Sequence, residues 1–487
     1  MNLAEHLNVI GPAVALFVGS GTVLLVGLML PRRAYSFTLT CLALIIAGIW
    51  LLVHHAAGTE SSALGGAVRI DAFSNFFSIV IVVATLSIVL ATRTWADTLE
   101  RSIEFYALLL TAAASMTILT QASDLITIFI AIETTSISQF ILVAIVKDDK
   151  GAEAGLKYLL TGAVAAAVLL YGFVFLFGVS GVVSLDQILN FAESAPEEYR
   201  LVLLLSLMFI VAGLGYKMAL APFHGWAPDV YQGAPSAIGS FLSVASKATG
   251  FAVALRLIYS GLGGGDFYLA TDLSRIFVIL AVASMLIGNL GALRQTDAKR
   301  LLGYSSIAQA GNIAVGLAAL TAGSVSGASA VTFFVATYLF TNLGAFLSVH
   351  FIRSKLGSSE LTDFAGLIKR SPLVAVVLSI SLLSLTGIPP TAGFIAKVYV
   401  FNAAITGGDL WLVGLVAVAV LNTAISAYYY LRWLRMMWLD EPSGDSAIRP
   451  DGWQQTVLVV MMAGTVLIGI LPNPLINAAK TAAESLI

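Results

Sequence analysis

Four lysines stand where the chain is otherwise oil: Lys157, Lys217, Lys247 and Lys397 each lie inside a long apolar stretch. The sequence has only 25 Lys and Arg residues, so four in such places point to a task rather than to solubility. A cation in the middle of a bilayer costs about 2.5–3.5 kcal/mol on insertion scales, and residues that bear this cost line ion or proton pathways. Burial disfavours the charged ammonium, and a nearby carboxylate favours it. A lysine held between those influences takes up or gives off a proton when the carboxylate moves.

Glu133 is the candidate carboxylate. It lies mid-stretch in Ile130-Ala-Ile-Glu-Thr-Thr-Ser-Ile-Ser-Gln, among hydroxyls and Gln139. It reads as a charge partner for a lysine on another helix, or as an acid bonded between helices for packing. Lys217 stands just ahead of a proline break, in Gly213-Leu-Gly-Tyr-Lys-Met-Ala-Leu-Ala-Pro, where small residues leave room for water. The pair Glu133–Lys217 is then a proton switch or a static salt bridge. Lys247 follows Ser236, Ser240 and Ser243 at helical spacing, on one face. Such a stripe suits a file of water, and serine is also common at membrane helix contacts. Lys397 follows a second break, in Thr391-Ala-Gly-Phe-Ile-Ala-Lys. Lys157 sits early in its stretch, with Thr161 one turn on, and either joins a relay or snorkels to the surface.

His224 lies in the first break and Asp229 follows it closely. The two can pass protons between the inner water and Lys217, or the histidine can satisfy freed carbonyls. Ser305, Gln309 and Asn312 share a helix face, and Thr337, Tyr338, Thr341 and Asn342 lie on the next helix. They either hydrate a path from Lys247 to Lys397 or bond helices together. His350 has no assigned role. His54 and His55 are adjacent in what reads as a loop, and no spacing marks a metal site.

The elements that position these groups follow from composition. The chain is 59% hydrophobic and 11% charged, where soluble proteins carry about 25% charge. This predicts an all-α polytopic membrane protein. With a net charge of −2 and no basic cluster, nothing points to nucleic acid. The single cysteine, Cys41, excludes an internal disulfide and cannot supply the four thiolates of an ordinary iron–sulfur cluster. There is no strand-linked G-x-G-x-x-G and no P-loop, so no redox cofactor or nucleotide site is expected in this chain. Glu5 and His6 precede the first span, unlike a basic signal peptide, so that span is expected to remain in the mature protein.

Fourteen spans are expected, at 9–30, 35–54, 70–92, 104–121, 124–146, 153–180, 200–231, 235–260, 272–293, 298–320, 325–353, 372–405, 410–438 and 453–471. The seventh is broken at Ala221-Pro222-Phe223-His224-Gly225 and the twelfth at Gly387-Ile388-Pro389-Pro390. Proline removes an amide donor, and a break at membrane depth is tolerated only inside protein or beside a wet cavity. With both termini outside, the inner loops hold 16 Lys and Arg, among them Arg32, Arg33, Lys299 and Arg353. The outer side then holds five: Arg69, Arg200, Arg256, Arg275 and Lys480. The positive-inside rule favours that orientation. Two breaks five spans apart predict two inverted five-helix repeats, 104–260 and 272–438, within a single transmembrane domain 1–487. The acidic linker 182–199 contains a pattern for a short surface helix from Leu185.

The run Lys217-Met-Ala-Leu-Ala-Pro-Phe-His-Gly-Trp-Ala-Pro-Asp-Val-Tyr-Gln-Gly-Ala-Pro resembles a hallmark of the antiporter-like subunits of respiratory complex I. So do Glu133, Lys247 after its serines, and Gly387-Ile-Pro-Pro-Thr-Ala-Gly-Phe-Ile-Ala-Lys, and the likeness covers essentially the whole chain. One branch of that family usually carries Glu where Lys397 stands, and another runs on into a long lateral helix. Lys217-Met-Ala and Ala154-Gly-Leu-Lys-Tyr resemble the third branch. The resemblance implies a proton-translocating subunit of an NADH:quinone oxidoreductase, driven by electron transfer elsewhere in the complex. FMN, iron–sulfur clusters, NADH and quinone would belong to the complex and not to this chain. Its partners would be other membrane subunits, the lipid bilayer and protons, and its place the bacterial inner membrane. In that scheme Glu133 and Lys217 form the inner-facing pair, Lys247 is the central carrier and Lys397 the outlet, with entry near His224. Two other readings remain open: a subunit of a multisubunit cation/proton antiporter or membrane hydrogenase, and a non-pumping membrane scaffold.

Overall fold

In the computed structural model, aspartates mark where many of the membrane helices begin. Asp71, Asp124, Asp148, Asp297 and Asp451 are N-caps whose carboxylates accept backbone N–H bonds from the first turn. Such caps satisfy amides that lipid cannot. The structure describes residues 3–30, 33–263, 267–324, 326–442, 444 and 447–486, with the backbone alone for residues 3, 4, 33 and 34. Arg32 and the Arg33 side chain therefore lie outside the described residues.

Helices α1 (Leu3–Met29) and α2 (Arg33–Ala57) lead to a small antiparallel hairpin, β1 (Ser61–Ala63) and β2 (Val68–Ile70), paired Ser61 to Ile70. Then come α3 (Ala72–Ala91), α4 (Ser102–Gln121), α5 (Leu125–Val143) and α6 (Asp149–Ser180). The linker forms the surface helix α7 (Leu185–Ser194), which buries Leu185, Ile188 and Ala192. After it run α8 (Arg200–Met218), the short α9 (Ala227–Gly233) and α10 (Ser236–Gly261). The second part holds α11 (Ala270–Leu293), α12 (Ala298–Thr321), α13 (Ser326–Leu356), the half-helices α14 (Pro372–Thr386) and α15 (Ala392–Thr406), and α16 (Leu410–Leu439). Helix α17 (Gly452–Ile470) and the amphipathic α18 (Asn473–Glu484) close the chain. The hairpin and α18 are absent from the span pattern because neither is long and apolar.

Among the described residues twelve helices are long and apolar enough to cross a membrane. Helix α12 is long enough but too polar, and α14 and α15 are each too short. With α12 and the broken pair the bundle has its fourteen crossings. Position explains the exceptions. Helix α10 is wholly enclosed and α13 almost so, whereas the strongly apolar helices α1, α2 and α6 turn large faces outward. A helix surrounded by protein can carry Lys299, Ser305, Gln309 and Asn312 because lipid never meets them.

Both breaks end in left-handed backbone. Ala219 caps α8 at φ 58°, and Gly387 caps α14 at φ 92°. The freed backbone groups are met inside the protein: Ser284 Oγ accepts from Ala221 N at 2.8 Å, and Ser384 Oγ accepts from Gly393 N at 2.9 Å. Helix α10 contains a π segment, Leu242–Ser246, immediately before Lys247. Its wider turn lessens the rotation between Ser243 and Lys247.

Three placements differ from the span reading. Arg256 is not a surface charge: it is 1% exposed and pairs with Asp71 at 2.5 Å and 3.0 Å, while donating to Thr120 O at 2.9 Å. Lys299 is likewise buried and donates to Ala234 O at 2.7 Å, a carbonyl freed between α9 and α10. His54 lies inside α2, not in a loop, and accepts from Trp50 Nε1 at 3.1 Å. Hydropathy finds where a helix ends but not whether neighbours cover that end.

Breaking a buried, hydrogen-bonded pair strands the remaining charge, at a cost on the order of 3–5 kcal/mol. Asp71 also caps α3, so Asp71→Ala loses the cap as well. Asp71→Ala should therefore lower the melting temperature of the subunit and its yield in membranes sharply. A combined Asp71→Leu/Arg256→Met variant should recover part of the loss. Equal stability of single and double variants would show that the pair does not hold α3 to α10.

Candidate proton-relay site

Lys217, Lys247 and Lys397 are 6%, 2% and 5% exposed. Among the described residues none has a carboxylate oxygen within 4.0 Å. Each ammonium is met by neutral oxygens instead.

Lys217 occupies the last turn of α8, where the helix C-terminus favours a cation. Its Nζ donates to Gln139 Oε1 at 3.0 Å and to Ser136 Oγ at 3.3 Å, both on α5. Gln139 Oε1 also accepts from Tyr158 OH at 3.1 Å and Ser246 Oγ at 3.2 Å. A carbonyl oxygen has two lone pairs, so three donors compete for it. Gly250 of α10 lets the end of α8 come close, since a Cβ there would lie 3.1 Å from Met218 Cγ and 3.4 Å from Lys217 Cγ. Glu133 is half-buried on α5 one turn before Ser136, and Lys217 is the charge its carboxylate senses. The two are not in contact. The expected Glu133–Lys217 pair is thus not a salt bridge: Ser136 and Gln139, on the same helix as Glu133, make the contacts to Lys217.

Lys247 donates to Ser306 O at 2.6 Å and to Ser306 Oγ, and its Nζ lies 6.0 Å from the Tyr338 ring centre. Ser306 is the residue next to the Ser305 singled out from sequence. Ser305 itself turns to Tyr430 OH. Helical phase alone does not say which of two adjacent serines faces a partner helix.

Lys397 reaches back across the second break to Thr386 O at 2.8 Å, with Thr423 Oγ1 at 3.3 Å. Thr386 is the last residue of α14, so this carbonyl is free only because the helix stops. Lys217 lies in the last turn before its break, and Lys397, after the other, bonds the last carbonyl of the half-helix α14. A Cβ on Gly387 would lie 3.0 Å from Lys397 Cδ, which adds to the demand its φ makes for glycine. Between Tyr338 and Lys397 is a cavity with about 10 Å³ of water-accessible space, lined by Gln309, Thr337, Thr341 and Ser384 among others. That is room for about one water.

The other sequence candidates stand apart. The Lys157 side chain is 45% exposed and pairs with Glu153 at 2.7 Å and Asp229 at 3.0 Å. Asp229 also pairs with Arg300 at 2.6 Å, and Arg300 donates to Gln232 at 2.9 Å. This is a half-exposed ion cluster, and Lys157 is not a buried lysine. His224 is half-buried, and among the described residues no hydrogen bond joins it to Asp229 or Lys217. Sequence reasoning missed Tyr158, Ser306, Thr423 and the Thr386 carbonyl. Only Tyr158 carried a signal, being a polar group next to Lys157 and three residues before Thr161. Among the described residues no cluster of His, Cys, Asp and Glu could hold a metal ion.

Residues 122–423 match the family model described as NADH:quinone oxidoreductase/Mrp antiporter, TM, and the chain belongs to that family. Within it, the chain is 39% identical to NADH-quinone oxidoreductase subunit N of Desulfitobacterium hafniense, covering 95% of each protein. It is 40% identical to NAD(P)H-quinone oxidoreductase subunit 2 of Synechococcus elongatus, covering 99% of this chain and 93% of that one. A chain of respiratory complex I from Thermus thermophilus superimposes with a TM-score of 0.80 at 31% identity, covering 96% of this chain and 98% of the other. The fold is shared more widely. A chain of the Mrp complex of a Dietzia species gives a TM-score of 0.85 at 22% identity, covering 100% of this chain and 98% of that one.

Gln139→Leu would leave Tyr158 OH, Ser246 Oγ and Lys217 Nζ without their shared acceptor. Each buried donor left unpaired costs roughly 1–3 kcal/mol. The expected result is an assembled complex with impaired proton translocation, milder for Gln139→Asn than for Gln139→Leu. Proton uptake measured in vesicles at matched complex content checks this, and full activity of Gln139→Leu would contradict it.

Proposed function

We infer that this chain is a membrane-arm subunit of an NADH:quinone oxidoreductase that translocates protons, with energy from electron transfer in other subunits. Its near-full-length identity to subunit N proteins supports that assignment over a free-standing antiporter, because the shared fold alone does not separate the two. The chain works beside other membrane subunits of the complex. We propose that NADH, FMN, iron–sulfur clusters and quinone belong to those other subunits, and that this chain supplies the proton path.

The path we propose runs through Lys217, Lys247 and Lys397, with Glu133 as the switch at its start. The observation that supports it is the burial of three lysines without counter-ions, each solvated by neutral oxygens. A cation so placed is finely balanced between charged and neutral forms, because nothing but hydrogen bonds offsets its desolvation. Gln139 touches both Lys217 and the residue preceding Lys247, and the small cavity lies between Tyr338 and Lys397. A charge change at Glu133 acts first on Lys217. One pKa unit is about 1.36 kcal/mol, and one charge crossing 100 mV costs about 2.3 kcal/mol. A shift of two units is thus comparable with one transfer. We leave Lys157, His224 and Asp229 out of this line, because Lys157 and Asp229 belong to the half-exposed ion cluster.

We also propose the arrangement in which the path works. Residues 104–260 and 272–438 form two inverted units, each with one break whose half-helix end serves a lysine. Both termini face the outer side of a bacterial inner membrane, and the end bearing Lys147, Lys150 and Arg353 faces inward.

Positioned proton-transfer groups typically contribute 10²–10⁴-fold to a rate. In the assembled enzyme, Lys217→Ala and Lys247→Ala should each cut NADH-driven proton translocation by about tenfold or more, a low estimate that allows for leakage through remaining routes. Lys157→Ala should leave translocation within about twofold, as an exposed ion pair contributes little. Vesicle proton uptake with complex content normalised decides. Near-normal translocation in Lys217→Ala would remove it from the path. At Lys397, Glu should be milder than Leu if protonation is the task, and equal loss would indicate packing.

A further inference from the structure

Helix α13 carries Tyr338, Asn342, Phe346 and His350 at successive intervals of four, which puts them on one face. Helix α10 faces them with Ser236, Ser240, Ser243 and Lys247. The pairings run antiparallel. Lys247 meets Tyr338, Asn342 Nδ2 donates to Ser243 Oγ at 2.9 Å, and Ser236 and His350 line one cavity.

That cavity has a volume of about 270 Å³ and lies where α13 ends and α10 begins, with Trp95, Asp148, Arg353 and Ser354 also in its wall. It is large enough for several waters. His350 is 3% exposed and stands edge-on to Trp95 at 5.8 Å. Its Nε2 and the Ser236 Oγ are both buried without a hydrogen-bond partner. Unpaired buried polar atoms are rare, and here two of them share one space. Above the cavity the serines continue: Ser240 Oγ donates to Ser236 O at 2.8 Å, and Ser243 Oγ to Ser240 O at 2.9 Å. One member of the α13 face breaks the polar run. Phe346 is fully buried, 5.6 Å from the Tyr231 ring, and 3.5 Å from where a Cβ of Gly239 would be.

We propose that this cavity is the port by which protons reach Lys247, with His350 and Ser236 as its receiving groups and Phe346 as the seal above them. The inference rests on the reading of Lys247 as a proton carrier. A proton taken from solvent at His350 Nε2 leaves from the same nitrogen to water beside Ser236. When the Phe346 ring swings away, it passes along the serines and adds to the neutral Lys247 amine. His350 returns to its neutral form, and the proton that Lys247 held before has moved on toward Lys397. The ring rests on glycine at position 239, which leaves it space to move. The charged groups on the cavity wall are Asp148 and Arg353, and the buried Lys299 lies near by on α12.

The test uses the complete complex in inverted vesicles, with Cys41→Ser removing this chain's one native thiol. Ser236→Cys and Ser243→Cys are introduced separately and exposed to a charged, membrane-impermeant thiosulfonate, with labelling located by mass spectrometry of this chain. Ser236→Cys should be labelled. Ser243→Cys should not be, until Phe346→Ala is added and raises its labelling by an order of magnitude. An unlabelled Ser236→Cys overturns the port, and labelling of Ser243→Cys that ignores Phe346→Ala overturns the seal. His350→Gly should lose proton translocation several-fold and regain it when imidazole is added on the exposed face. A loss that imidazole does not restore, or no loss, overturns the role of His350. The labelling pattern does not depend on Lys247 carrying protons, so failure of the relay and failure of the port give different results.

Discussion

Buried ammonium groups with no carboxylate in contact among the described residues, Lys217, Lys247 and Lys397 with Lys299 beside them, set the terms for the whole bundle. An unpaired charge in an apolar medium costs several kcal/mol, and only well-directed oxygens reduce that cost. An intact helix has few oxygens to offer, since its carbonyls are already bonded. The breaks supply them. Thr386 O is available to Lys397 because α14 stops there, and Ala234 O is available to Lys299 because α9 stops. Lys217 uses side-chain oxygens and the C-terminal end of α8, and Lys247 takes a carbonyl at Ser306 inside α12.

The same demand orders the helices around the lysines. Helices α10 and α13 are enclosed by the others, and α1, α2 and α6 lie at the rim. Helix α12 is too polar to face lipid, and it touches lysines at two levels: Lys247 through Ser306, and Lys299 of its own first turn. The serines of α10 and the polar face of α13 meet along one seam, with the π segment adjusting the turn just before Lys247. The buried Arg256–Asp71 pair ties α10 to the start of α3 at the opposite end from the cavity.

Much of this was legible in the sequence, and the limits were physical. Lysines and prolines inside apolar runs are rare enough to mark the site without a fold, and fourteen spans followed from length and hydropathy. Depth along a helix was readable, but the direction of a side chain was not. Lys157 sits early enough in its stretch to snorkel or to join a relay, and only the structure shows that it enters an ion cluster while Lys217 is sealed. Arg256 and Lys299 sit at helix ends, where charge usually means solvent, and both are covered by neighbours. Ser305 and Ser306 differ by one helical step, which decides between Tyr430 and Lys247. His350 gained a role only from Ser236, a residue 114 positions away that no periodicity could bring beside it.

The central claim is that these buried lysines are joined by water into one conducting line. A cryo-electron-microscopy map of the assembled complex, at a resolution that shows ordered water and taken under turnover as well as at rest, tests it most directly. The account predicts water linking Lys217 through the Gln139 region to Lys247, and Lys247 through the Gln309–Thr341 cavity to Lys397, in at least one state. A dry apolar barrier between any two of the three lysines in every state would contradict it.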